Sequence, residues 1–282
     1  MFAGDESAPS AAICARVESD KRVGDQGAGW LHVLRRDGPT WPEWKRTVHV
    51  AARQVGPEPS APPAVDFGDL AARALASTDD AQRERFAAAL GVSAASLRRL
   101  GAGWLPDRRA WAFPMRDARG RVLGIRLRYR NGRKLSIKGS KEGLFLPDDL
   151  HAGSRLLVCE GPTDTAALLD LGFDAVGRPS CTGGTKHIVA LAKRLRPVEI
   201  AIIADHDEPG QKGADRLAAA LLAYVPIVRV VIPPPGVKDA RDWKRAGATA
   251  ADVHLAIGAA TPKTLKIRVS SKHEKASLCP GP

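Results

Sequence analysis

The chain has 282 residues, 44% of them hydrophobic but only 5% aromatic, which allows one large or two modest domains with a small-residue, aliphatic core. Lysine and arginine number 43 against 31 aspartates and glutamates, a formal charge of +12. That balance points to a polyanion partner, nucleic acid before an anionic membrane, although a compositional bias towards Arg and Ala would produce it too.

The four cysteines, Cys14, Cys159, Cys181 and Cys279, form no Cys-x-x-Cys pair. A complete zinc ribbon is not encoded in this chain, the cysteines do not look like a disulfide framework, and a reduced, cytoplasmic setting is the simpler expectation. The N-terminal MFAGDESAPSAA carries acids and lacks the apolar stretch of a signal peptide, and no segment is apolar enough to span a bilayer, so no membrane association is expected.

In chain order, residues 1–65 read as an irregular segment ending in the Pro-rich linker VGPEPSAPPAV. From Asp66 to Leu100 the apolar pattern turns helical, predicting two or three short helices with Ser93 as an N-cap and Gly91 and Gly101 as C-caps. Residues 110–147 change period. In VLGIRLRY, Ile125, Leu127 and Tyr129 alternate with Arg126, Arg128 and Arg130, giving one apolar and one basic strand face. Turns at DARG and at Asn131-Gly132 predict a small antiparallel sheet with a cationic face, continued by Lys134, Lys138 and Lys141.

From Arg155 strands and helices alternate: RLLVCE, TDTAALLDLG, DAVGRPS, KHIVALAKRL, VEIAIIAD, GADRLAAALLAYV, IVRVVIP, DARDWKRAG and TAADVHLAIG. Helical connections of this length imply right-handed crossovers and a mostly parallel sheet. The expected class is therefore α/β, a mostly parallel sheet with flanking helices over 151–260, preceded by a small basic α+β subdomain over 66–150. The Lys- and Ser-rich segment 261–282 reads as a disordered basic tail.

Acids collect at the predicted strand ends. Glu160 closes RLLVCE, Asp205 and Asp207 close VEIAIIAD, and Asp239 and Asp242 follow IVRVVIP. Ligands of open parallel α/β sheets bind beyond these carboxyl ends. Positions i and i+2 of an extended segment point the same way, so Asp205 and Asp207 can face one site. Converging carboxylates repel one another and become tolerable around a divalent cation, for which hard oxygen donors suit Mg²⁺ or Mn²⁺. Asp164 is a weaker candidate, since any acid is favoured in a first helical turn, and the same applies to Asp242.

LLVCEGPTDTAALLDLG, IAIIADHDEPGQKGADRLAAAL and VKDARDW together resemble a TOPRIM domain, the catalytic module of bacterial-type primases, topoisomerases and some nucleases. Glu160, Gly161 and Asp164 match the family's Glu-Gly-x-x-Asp element, Asp205, Asp207 and Gly210 its Asp-x-Asp-x-x-Gly element, and Asp239 and Asp242 its later acidic pair. The resemblance covers about residues 153–258. FPMRDARGRVLGIRLRYRNGRKLSIKGSKEGLF is similar to the basic segment preceding TOPRIM in bacterial and phage primases, and Lys138 to Phe145 looks closest to phage and plasmid-borne forms. AICARVESDKRVGDQGAGWLHVL resembles the sequence after the last cysteine of a primase-type zinc ribbon. Cys14 would then be a final ligand whose partners are absent, so it reads as an idle thiol and zinc is not expected.

The resemblance implies a primase-like, metal-dependent nucleotidyltransferase making short RNA primers in DNA replication. Glu160, Asp205 and Asp207 would be its catalytic acids. Mg²⁺ (or Mn²⁺) would be held by these with Asp239, Asp242 and, more weakly, Asp164. Arg126, Arg128, Lys134, Lys138 and Lys141 would grip a single-stranded DNA template; Gly161 and Gly210 would serve the turns; NTPs and a replicative helicase are the implied partners. Two readings stay open beside it: a metal-dependent nuclease using the same acids, and a non-catalytic nucleic-acid-binding remnant of a primase.

Overall fold

In the computed structural model, residues 65–264 other than Ala152 are described, together with four short strands near the N-terminus and Val17 and Ser19. Contacts divide the chain into two units, Met1–Ala61 and Pro62–Pro282.

The first unit departs from the irregular segment read from the sequence. Strands β1 (Phe2–Ala3), β2 (Ala11–Cys14), β3 (Arg22–Val23) and β4 (Gly29–Val33) form an antiparallel sheet in the order β1-β2-β4-β3. Two of these strands are only two residues long, too short to display the alternation by which a strand is recognised. The Pro-rich linker lies, but for its last residue, outside the described residues.

The second unit begins with three helices, α1 (Phe67–Ala76), α2 (Asp80–Leu90) and α3 (Ala94–Arg99). Each starts where a short polar side chain accepts a free backbone N–H: Asp66 caps α1, Asp79 caps α2 and Ser93 caps α3. An antiparallel sheet follows, β5 (Gly103–Leu105), β6 (Ala110–Arg116), β7 (Val122–Tyr129) and β8 (Lys134–Ser136), paired in sequence order. The alternation in β7 is realised. Ile125 and Leu127 are buried in a cluster with Ala71 and Ala74 of α1, while Arg126 and Arg128 lie on the opposite face.

A parallel sheet completes the unit, built from β9 (Arg155–Glu160), β10 (Ala175–Arg178), β11 (Glu199–Ile203) and β12 (Ile227–Val231) in the order β10-β9-β11-β12. Helices α4 (Gly161–Asp170), α5 (Thr185–Leu195) and α6 (Glu208–Leu221) cross between successive strands, and α7 (Ala240–Arg245) and α8 (Ala250–Ala259) follow β12. The architecture is α/β, as its strand-helix alternation requires. No helix among the described residues is long and apolar enough to cross a membrane.

The boundary expected at 150/151 runs through a common core. Leu97, Trp111, Phe113 and Met115 from the first half pack with Leu157, Ala166, Ile203 and Trp243 from the second. A two-residue strap also joins the sheets. Leu144 exchanges backbone hydrogen bonds with Arg116 at the end of β6, and Phe145 exchanges them with Gly177 of β10 at 2.9 and 3.0 Å. The expected tail begins later than 261: Lys263 bridges Val228 and its ammonium lies 2.8 Å from Asp215. Residues 265–282 lie outside the described residues.

Asp170, the last residue of α4, pins this arrangement. Its carboxylate accepts from Ser93 N at 2.8 Å, Ser93 Oγ at 2.6 Å and Ser96 Oγ, and pairs with Lys244 of α7 at 3.0 Å. Burial opposes its charge, but these hydrogen bonds outweigh burial and hold its carboxyl below the ordinary value. A depressed carboxyl contributes stability above its unfolded pKa that is lost as pH falls through the folded one. Asp170→Asn is therefore expected to cost about 2–4 kcal/mol at neutral pH. The gap from the wild type should close as urea-denaturation measurements descend below about pH 4; a constant gap down to acid pH would contradict this role.

Candidate metal centre

The acids sit where backbone geometry forces them together. Glu160 ends β9 and the chain turns at once into α4 through Gly161, whose φ of +73° is strained for any residue with a side chain. The Glu160 side chain makes no capping bond, so its carboxylate is left to face the strand ends. Oε1 is buried without a hydrogen bond and lies 3.5 Å from Nη2 of Arg178. Burial pushes this carboxyl up, Arg178 opposes, and the charge of Asp207 pushes further in the same direction as burial.

Asp205 follows β11, the neighbouring strand. Burial first, and then the charges of Glu160, Asp239 and Asp207, push its carboxyl up to about 7, with Lys238 opposing. Asp207 caps α6 by accepting from Gly210 N at 2.7 Å. Gly210 is needed for close approach: a Cβ there would lie 2.8 Å from Asp205 Cβ and 3.0 Å from Asp207 Oδ1. Asp239 caps α7 by accepting from Asp242 N at 2.8 Å. Asp164, in the first turn of α4, is buried and accepts from Arg241 N at 3.1 Å. Its carboxyl is pushed well above the ordinary range by burial and by the charges of Asp239 and Asp205.

Glu160, Asp164, Asp205 and Asp239 line one cleft of about 320 Å³ with Arg126, Arg128 and Lys134 from the antiparallel sheet, and with Lys238 and Arg241. Burial holds Arg128 and Lys134 below their ordinary values and the facing charge of Asp164 opposes this in both. Asp207 does not line the cleft, but its charge acts on both Glu160 and Asp205. Three sequence candidates stand apart. Asp242 turns to Arg241 at 3.3 Å, and Lys138 and Lys141 are exposed and outside the cleft. His206, between the two aspartates, bonds with Nδ1 to Pro233 O at 3.1 Å, away from the carboxylates.

Sequence reasoning missed Arg178, Lys238 and Arg241. Arg178 left no signal, because a lone arginine after an apolar run reads as surface, yet its side chain is 2% exposed and donates Nη1–H to Cys181 O at 2.9 Å. Lys238 and Arg241 flank Asp239 in VKDARDW and were readable only as part of that acidic segment.

The donors fit a hard divalent cation. They are carboxylates alone, they crowd on one edge, and the buried Glu160 Oε1 has no hydrogen-bond partner. Among the described residues no three His, Cys, Asp or Glu side chains are close enough to enclose an ion by themselves. An open edge of this kind suits Mg²⁺, which keeps several waters and takes few protein carboxylates beside phosphate oxygens.

Residues 157–244 match the Toprim-like family model. Among solved structures, the E. coli primase catalytic core is 20% identical with a TM-score of 0.55, over 70% of this chain and 79% of that one. The RNA polymerase domain of Mycobacterium tuberculosis primase DnaG is 21% identical with a TM-score of 0.52, over 70% and 82%. A DnaG primase catalytic domain bound to ssDNA is 20% identical with a TM-score of 0.54, over 70% and 78%. No curated protein matches the chain significantly. The molecule is therefore an α/β protein carrying a Toprim-like domain. More particularly, its second unit has the fold of bacterial primase catalytic cores.

Removing Arg178 would leave the buried Glu160 carboxylate without its cation. Arg178→Ala is expected to lower stability by about 3 kcal/mol or more in urea denaturation; a loss under about 1 kcal/mol would show the pair to be incidental.

Proposed function

We propose that the chain is a primase-like, metal-dependent nucleotidyltransferase that joins ribonucleotides on a single-stranded DNA template during replication. The observation that carries this reading is the cleft in which Glu160, Asp164, Asp205 and Asp239 oppose Arg126, Arg128 and Lys134. A triphosphate needs both walls: cations for its oxygens, and carboxylates for the divalent ion that travels with it. The Toprim-like match and the fold shared with primase cores support it.

Glu160, Asp205, Asp207 and Asp239 would hold Mg²⁺ or Mn²⁺, with Asp164 behind them. When bound, such an ion would supply Lewis acidity for a 3′-hydroxyl nucleophile and for charge on the attacking and leaving oxygens. Arg178 holds the Glu160 carboxylate in place, and Oε1, ion-paired but without a hydrogen bond, would ligate the metal or take the hydroxyl proton. Arg126, Arg128 and Lys134 take the phosphates across the cleft. Lys138 and Lys141, exposed beyond it, extend the same positive track outward. Asp242 supports α7 and Arg241 and is not needed as a ligand in this scheme.

Two measurements test this. In a primer-synthesis assay on single-stranded DNA with Mg²⁺ and NTPs, Asp205→Asn combined with Asp207→Asn should lower product by a factor on the order of 10³ or more while DNA affinity stays close to wild type. Retained synthesis would exclude the assignment, and shortened template strands in place of extension products would identify a nuclease. In anisotropy titrations, Arg128→Ala and Lys134→Ala should each flatten the slope of log affinity against log salt by about 0.7. An unchanged slope would remove these side chains from the phosphate track.

A further inference from the structure

At the end of the parallel sheet remote from Glu160 and Asp205, the described chain stops beside a groove. After α8 the backbone runs back along β12, and Lys263 N–H donates to Val228 O at 2.8 Å in an antiparallel bridge. That register sets Thr264, the last described residue, beside Ile227, the first residue of β12. Ile227 in turn lines a groove of about 460 Å³ at the starts of the parallel strands, with Phe173, Asp174, Val198, Glu199 and His254.

The groove is incompletely matched in both charge and apolar surface. Glu199 pairs with Arg155 at 2.5 Å and with Arg229 at 2.7 Å, and a second nitrogen of Arg155 meets His254 Nδ1 at 3.0 Å. Asp174, half-buried at the far end, has no ion pair among the described residues. Val198, one residue before β11, is 54% exposed. By strand alternation it shares the face of Ile200, which pairs with Val228, and both of those are fully buried.

The residues after Thr264 supply what is missing. Leu265 to Val269 reads Leu-Lys-Ile-Arg-Val, apolar and basic in strict alternation, the period of a strand with one apolar and one cationic side. Lys263 shows which side is which. Its ammonium reaches Asp215 of α6, and α6 packs on the Val228 face of the sheet. Continued in the same extended form, Leu265 and Ile267 take that face, which is also the face of Val198. Lys266 and Arg268 take the side of Ile227 and the groove. The reach is sufficient. From β12 to β10, which Asp174 precedes, is three strand spacings, about 14 Å; four extended residues from Thr264 cover about 13 Å, and an arginine side chain spans the rest. An anionic or wholly apolar occupant would leave Asp174 unpaired.

We propose that residues 265–269 of this chain occupy the groove, crossing the starts of β12, β11 and β9 with Ile267 over Val198 and Arg268 paired to Asp174. The segment covers the end of the sheet remote from the acidic cleft, and its docking does not depend on whether the chain joins nucleotides.

Hydrogen exchange of the full chain, read by mass spectrometry, tests this. Amides of residues 265–269 should exchange about tenfold or more slowly than those of a free peptide of the same sequence, at any protein concentration. Val198→Asp, at a half-exposed position, should remove that protection, and so should Ile267→Asp. Asp174→Arg and Arg268→Asp should each weaken it, and the two combined should restore it; that pair gives the answer should Val198→Asp fail to fold. Exchange at the free-peptide rate in wild type would overturn the proposal, as would protection that survives Val198→Asp or is not restored in the combined variant. Protection that fades on dilution would place the segment on a second copy of the chain and overturn it likewise.

Discussion

Mutual repulsion among carboxylates governs this molecule's working edge. Glu160, Asp205 and Asp239 come from three separate strand exits, yet each raises or feels the charge of another. Like charges at such range in a partly buried edge are unfavourable unless something offsets them. The chain does so locally. Asp207 and Asp239 are stabilised by the helix N-termini they cap, Asp164 by the Arg241 amide, and Glu160 by the buried Arg178. What remains uncompensated is concentrated at Asp205, whose carboxyl stands near 7. A divalent cation at that point would complete the balance that Lys238 only begins.

The second constraint is the strap at Leu144 and Phe145. By pairing with β6 on one side and β10 on the other, it fixes the antiparallel sheet against the parallel one. Asp170 secures the far side by joining the α3 cap, α4 and α7. Between these anchors the basic face of β7 and β8 can only lie across the acidic strand ends. A cationic hairpin on its own would be a solvated surface; held here, it makes the wall opposite the acids.

Much of this was legible in the sequence because it depends on local pattern. The strand-helix alternation after Arg155, the caps at Ser93 and Gly91, and the two-faced β7 all follow from period and turn chemistry. The acids were legible too, since strand ends in a parallel sheet converge by construction. Side-chain direction was not. Asp242 and Asp239 are equivalent by spacing, but helix-start geometry turns Asp242 towards Arg241 and leaves Asp239 at the cleft. Lys134 and Lys138 are both basic hairpin residues, yet only Lys134 is in register with Arg128. Arg178 owes its position to a contact with a chain segment 18 residues away, which no short window displays. Two of the N-terminal strands were hidden for the opposite reason, being only two residues long and too short to have a period.

The central proposal is that the clustered carboxylates would hold a divalent cation. Electron paramagnetic resonance of Mn²⁺ titrated into the protein without nucleotide or DNA tests it most directly, since free and bound ions are counted separately. The account predicts saturable binding, displaced by Mg²⁺, that is lost in Asp205→Asn combined with Asp207→Asn and retained in Arg128→Ala. Mn²⁺ binding unaffected by the paired aspartate substitutions, or no binding at all to the folded wild type, would contradict it.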